Sequence, residues 1–290
     1  MRWLMLALTL VSAACGDDNP ARMVAPTPAP VAPAPPPTPV FRGTVSETLT
    51  GAPVPGFTAT ANGSRVAVSA PGYVTRETAI TAANVDLIRD AGEFNLSFYR
   101  QFVRNALDAP DMMQPLRRQR QSPRVYVRTI DESGAPVHPT ALSIALSSIT
   151  PALVEAFSGG TMTLAGLEQG PDTRIGMPGW ITVLWPTEFP DGRCGQGTVG
   201  GDKIELLHTR PACRYPRLIK HEMGHAMGFW HTDDRNDVMF SASTNDFDNN
   251  PSAREKHHAA IAYNRPLGSR DIDVDPAAGT LSPRGVIVVD

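Results

Sequence analysis

Between Phe41 and about Ala83, apolar and polar positions change in short runs broken by turn residues. Val66 and Val68 flank Ala67, while Gly51-Ala52-Pro53 and Pro71-Gly72 mark turns, so a small β unit is expected. The period then lengthens. Leu96, Tyr99, Val103 and Leu107 fall at helical spacing behind a capping Asn95, which predicts one amphipathic helix. Arg124 to Ile130 alternates as a strand, and Leu142, Ala145, Leu146 and Ile149 form a helical stripe that Thr140 is placed to cap. Pro151 would remove a hydrogen bond from a helix interior. Either that helix kinks there, or a second one starts behind Thr150 and stops at Gly159-Gly160. Strand-like runs follow at Thr163 to Glu168, Trp180 to Trp185 and Lys203 to Leu207. A helix then opens near Arg214. This order of elements predicts an α+β fold, with a small β-rich module plus helix over 41–120 and a larger domain over 121–268.

Composition narrows the function. The 290 residues include 26 basic and 29 acidic side chains for a formal charge of −3, which gives no electrostatic reason to expect nucleic acid as partner. Nothing in the pattern calls for a second chain, so a monomer is expected. The one long apolar run, Trp3 to Val11, is shorter than the ~20 residues of a membrane-spanning helix. With Arg2 before it and Ser12, Ala13 and Ala14 after it, the run has the form of a secretory signal over 1–14.

That leader resembles a bacterial lipoprotein signal, which implies cleavage before Cys15 and a diacylated Cys15 as the new N-terminus. Ser12 stands where an aliphatic residue is usual, and Ser12-x-Ala14 would also suit the ordinary signal peptidase. Nine of the 21 residues from Pro20 to Val40 are proline, which reads as a stiff extended spacer, so 15–40 is expected to be a lipid-anchored linker. Gly16 after the cysteine resembles sorting to the outer membrane; otherwise the chain would be periplasmic or secreted. Contact with membrane is expected through the lipid alone. Lipidation of Cys15 would leave Cys194 and Cys213 as an even pair in an oxidising compartment, and a disulfide between them is predicted.

The chemistry lies in His221-Glu222-Met223-Gly224-His225, continued by Gly228 and His231. His221 and His225, four apart, share one face of a helix and can share one ion. In a continuing helix His231 would lie about 9 Å further along the axis, beyond reach of a zinc–nitrogen bond of about 2 Å. The helix must therefore end, and Gly228 tolerates the left-handed backbone that ends it. Three neutral imidazoles leave one zinc position open for water, the arrangement of a catalytic site. Glu222, beside the first ligand, is the candidate general base.

This pattern resembles the metzincin metallopeptidases, whose zinc lies above a methionine turn. Met239, eight residues beyond His231, looks like that methionine, and the spacing is closest to the matrixin branch. The resemblance runs from about Arg124 to Pro266. It implies a twisted mixed sheet, a zinc-binding helix, a methionine turn and a C-terminal helix around Ser252 to Asn264, with zinc-dependent hydrolysis of peptide bonds. It further implies that Gly195 to Val199 is the edge strand on which an extended substrate pairs. Thr232 departs from the Ser usual in matrixins, and Phe240-Ser241 lacks the tyrosine that follows the methionine in astacins. With only His138 and His208 upstream, a structural second zinc has no ready donors. The alternatives are an inactive surface binding module and a zinc amidase acting on cell-wall peptide.

Other polar residues have plainer readings. His257 is expected to be partly buried beside Ala260 and Ile261, and His258 to be solvated. Asp237 is the acid placed to accept from the outer nitrogen of a ligand histidine, with Asp233 and Asp234 as surface acids. Asp271, Asp273 and Asp275 alternate like calcium ligands, but Pro276 stands where an EF-hand loop needs glycine. Calcium has no other support, and 269–290 reads as a solvated tail. Arg117 to Arg120 reads as a solvated basic patch or a processing site. Met223, Ala226 and Met227 are expected to pack the zinc helix on the core, and Trp230 either to pack likewise or to line a substrate pocket.

Overall fold

Two small sheets open the described part of the chain. β1 (Thr44–Glu47) runs parallel to β5 (Asn84–Leu87), and β2 (Thr58–Asn62), β3 (Arg65–Ser69) and β4 (Arg76–Ala79) form an antiparallel meander. Val45, Val54, Val66, Val68, Val85 and Leu87 fill the space between them. This computed structural model describes residues 40–241, 250–277 and 279, together with the backbone of 286–289. The expected leader, Cys15 and the proline spacer up to residue 39 lie outside the described residues.

α1 (Leu96–Arg104) starts where expected: the Asn95 side chain accepts from the Phe98 N–H at 2.9 Å. It stops at Asn105, in the left-handed region at φ 62°, so Leu107 stands beyond the helix. Phe98, Tyr99, Phe102 and Val103 on its inner face belong to the main core, not to the small sheets' interior.

That core is built on a six-stranded mixed sheet. Its strands are β6 (Arg124–Arg128), β7 (Gly166–Gly170), β8 (Trp180–Leu184), β9 (Gly195–Val199), β10 (Lys203–Leu206) and β11 (Val286–Val289), in the order β11-β9-β10-β8-β6-β7. β6, β7, β8 and β10 are parallel, and β9 is antiparallel to both its neighbours. With α2 (Pro139–Ser148), α3 (Pro151–Ala156), α4 (Pro216–Met227) and α5 (Ala253–Tyr263), this is a mixed α+β architecture. Cys194, just before β9, is disulfide-bonded to Cys213, just before α4.

Several expectations need correction. β7 begins at Gly166, three residues after the predicted Thr163, because its register is set by pairing with Arg124 of β6. His138, not Thr140, caps α2: Pro139 takes the first helical position, and the His138 ring accepts from the Thr140 N–H at 3.2 Å. Thr150 does cap a separate α3. β9 is not an edge strand, since β11 pairs along its far side from Val286 opposite Val199 to Val289 opposite Gln196.

The acidic triplet is no solvated tail. Asp271 bonds Arg100 at 2.8 Å, Asp273 bonds buried Arg265 at 2.6 Å and Asp275 bonds Arg76 at 3.1 Å, all to side chains far away in the chain or inside the core. The basic run is a solvated patch only at Arg120, which is exposed. Arg117 is buried, and Arg118 donates to the Arg265 carbonyl at 3.2 Å and lies over the Tyr263 ring. Both follow from contacts between residues 76–118 and residues 263–275, which no local pattern announces.

Of the two adjacent histidines, His257 is partly buried as expected, but His258 is not solvated. His257 faces Glu93 at 3.2 Å with its side chain 19% exposed, whereas His258 is buried beneath Phe94 and Phe98. His258 donates from Nδ1 to the Arg254 carbonyl at 2.7 Å and accepts at Nε2 from the Asn95 N–H at 3.0 Å. Burial pushes its pKa down to about 4. A folded-state pKa below the unfolded value means that the stabilisation is complete above about 6.5 and is lost as pH falls through about 4. His258→Gln is therefore expected to flatten the acid side of the stability curve relative to wild type, by up to about 3 kcal/mol. Urea midpoints at pH 7 and pH 4.5 measure this, and parallel losses in the two proteins would reject it.

Candidate metal centre

α4 begins at Pro216, where the missing N–H costs nothing. Its apolar face packs on the core through Leu218, Met223, Ala226 and Met227, all fully buried, as expected for the last three. Gly228 ends it at φ 116°, with its N–H on the carbonyls of Gly224 at 3.1 Å and His225 at 2.8 Å. A Cβ at this position would run into the Arg117 carbonyl, so both conformation and space require glycine.

The reversed chain brings His231 to the two helical histidines. Ring centroids of His221, His225 and His231 lie 4.7, 5.0 and 5.4 Å apart, and one nitrogen from each falls within 4.8 Å of the others. All three are buried, and among the described residues this is the one such group of three. Their outer nitrogens fix the tautomers. His221 Nδ1 meets the Val238 carbonyl and His225 Nδ1 the Phe229 carbonyl, each at 2.7 Å. A carbonyl only accepts, so both Nδ1 atoms carry hydrogen and both Nε2 atoms present lone pairs. Those two Nε2 atoms stand 3.1 Å apart. Two acceptors at that separation suit a shared cation, and their spacing matches neighbouring ligands at about 2 Å from one zinc ion.

Glu222 is fully buried against β9. It fits because Gly195 and Gly197 have no side chains: a Cβ on Gly195 would collide with one carboxylate oxygen, and one on Gly197 would stand 3.1 Å from the other. The same Gly197 passes against the His225 side chain. The base candidate thus lies between the ligand helix and the strand that runs beside it.

Met239 lies under the helix, its sulfur where a Cβ on Gly224 would be. The turn carrying it is held from α5. Glu255 Oε1 accepts from the Met239 N–H at 2.9 Å, and Oε2 accepts from Val238 at 3.2 Å and Ser252 at 2.6 Å. Burial, followed by the charge of Asp237, pushes the Glu255 carboxyl up to about 7, against the pull of those three N–H bonds. Arg217 on α4 donates to the Arg235 carbonyl at 3.0 Å and also to the Asp237 carbonyl. Val238, whose carbonyl fixes His221, is thus secured from both helices.

Asp237 does not serve a ligand ring, contrary to expectation. Its carboxylate takes Thr232 Oγ1 at 2.9 Å, Ser252 Oγ at 2.8 Å and the Arg254 guanidinium. The acid that does face a ligand is Asp108, whose Oδ2 is 3.0 Å from His231 Nδ1. No local signal marks it, since it is 123 residues away in the chain. For Glu255 the one local signal is its place three residues after the capping Ser252. Trp230 is buried beside Val199 and packs instead of lining an open pocket. His208 accepts from the His138 N–H at 3.1 Å and faces Asp131, apart from the triad.

Residues 192–246 match the peptidase family described as Astacin. That match supports a zinc-dependent peptidase. It takes in the disulfide, all three histidines, Glu222 and Met239, but well under half the chain. No curated protein matches the sequence. Among solved structures, metalloproteinase-II from Bacteroides fragilis is similar at 12% identity and a TM-score of 0.37, over 77% of this chain and 85% of that one. High choriolytic enzyme 1, a hatching enzyme zinc-protease from the medaka fish Oryzias latipes, is similar at 15% identity and a TM-score of 0.30, over 48% of this chain and 89% of that one.

Proposed function

We propose that the chain is a zinc endopeptidase of metzincin type, exported and held at the outer membrane by a lipid on Cys15. The observation that carries the peptidase reading is the convergence of two lone-pair-bearing imidazoles and a third ring beside a buried carboxylate. His221, His225 and His231 would hold one zinc ion, with Met239 beneath it. When bound, the ion supplies Lewis acidity, lowering the pKa of water towards about 7 and polarising the scissile carbonyl. Glu222 takes the proton of the attacking water and returns it to the departing amine. Val238 and Phe229, through their carbonyls, hold two imidazoles in the ligating tautomer throughout. On the branch within the family, the His231-to-Met239 spacing supports the matrixin side and the matched family the astacin side. A substrate strand pairing with β9 would take the place of β11.

The test is a proteome-derived peptide library incubated with the purified chain from Phe41 onward, with and without a chelator. Cleavage is expected to vanish on chelation and return with zinc. A chain ending at Gly279, which lacks β11, is expected to cleave several-fold faster. Equal cleavage by the chelated and zinc-loaded proteins would reject the reading.

A further inference from the structure

The loop that carries His231 is gripped on both sides by α1. Phe102 stacks on Phe229 with ring centroids 4.1 Å apart and planes 4° from parallel. The Phe102 carbonyl accepts the Trp230 N–H at 2.8 Å. Gln101 brackets Asp233, donating to its carboxylate at 3.0 Å and accepting its N–H at 3.2 Å. Past the helix end, the left-handed Asn105 turns the chain, and the Asp108 carboxylate meets the His231 ring at 3.0 Å. The outer nitrogens of His221 and His225 are satisfied by the carbonyls of Val238 and Phe229, close by in the chain. That of His231 is met by Asp108, 123 residues earlier in the chain.

We propose that Asp108 is a positioning residue for His231, so that the segment from Asn95 to Asp108 is part of the metal centre. The inference rests on the three-imidazole reading of the site. A carboxylate can only accept from Nδ1–H, which keeps the hydrogen there, leaves Nε2 as the ligating atom and raises its basicity. Asp108 is 40% exposed, so water screens its charge, and its main contribution is to the tautomer and angle of the ring. This exposure also means that replacing it leaves no cavity in the core.

The test compares Asp108→Ala and Asp108→Asn with wild type in the 41–290 chain. Zinc affinity is read by competition with a chromophoric chelator. The alanine variant is expected to bind about 10- to 100-fold more weakly. The asparagine variant keeps an acceptor oxygen and should recover most of that loss. Thermal midpoints of the metal-free proteins should agree, which separates positioning from a structural role. In the metal-free chain, nitrogen NMR of the His231 ring is expected to show Nδ1–H in wild type and a tautomer mixture in the alanine variant.

Affinity of the alanine variant within twofold of wild type, or an unchanged His231 tautomer, overturns the inference. Equal losses in both variants with lowered metal-free stability also overturn it. So does a gain in cleavage, which would make Asp108 a blocking group. Wild type that takes up no zinc defeats the peptidase reading instead, and the tautomer measurement still decides the role of Asp108.

Discussion

Glu222→Gln is expected to retain zinc at wild-type affinity while slowing peptide cleavage by about 10²- to 10⁴-fold. The substitution keeps volume and planarity, so the space left by Gly195 and Gly197 still accommodates the side chain. Three imidazoles remain to hold the ion. Only the capacity to take a proton is removed, because an amide is not a base near neutral pH. Zinc content by elemental analysis and cleavage of a quenched fluorescent peptide, measured on the same preparation, check both halves. A variant that cleaves within threefold of wild type would remove Glu222 from the mechanism.

The largest stability effect is expected at Arg265. Its side chain is fully buried and engages Asp273 through Nε at 2.6 Å and Nη2 at 2.8 Å, Thr48 Oγ1 at 2.9 Å, and Asp86. Burial works against its charge, but Asp273 and then Asp86 outweigh that and hold the guanidinium charged. Burial likewise opposes ionisation of Asp86, yet Arg265 and then Arg76 keep its carboxyl below the usual range. Arg265→Ala leaves Asp273, 1% exposed, without this partner. The expected cost is about 3–5 kcal/mol. Arg265→Met with Asp273→Leu should recover a large part, since the pair is then replaced by apolar volume. Because this cluster joins β5 to the chain beyond α5, wild type should unfold in urea in one transition reporting both halves. A loss below 1 kcal/mol, or two separate transitions, would contradict the role assigned to Arg265.

How far the sequence could be read depended on the distance over which each feature is set. The Asn95 cap and the Thr150 start of α3 involve partners within three residues, and both appear in the structure. Gly228 was also readable, because a helix carrying His225 cannot present His231 without ending. The burial of His258 was not readable, because it depends on α1 lying across α5, a packing that α5 does not encode. Asp237 departs from expectation for a related reason: Arg254, on the next helix, holds its carboxylate.

Spacing along the chain was enough to specify which nitrogens could share an ion and which carboxylate stands beside them, since helical periodicity is a property of a few consecutive residues. It could not specify the third ring's carboxylate, the strand that fills the far side of β9, or the burial of Arg265. Each of those joins residues far apart in the chain, and such partners meet only through the packing that buries the most apolar surface while leaving its polar groups hydrogen-bonded.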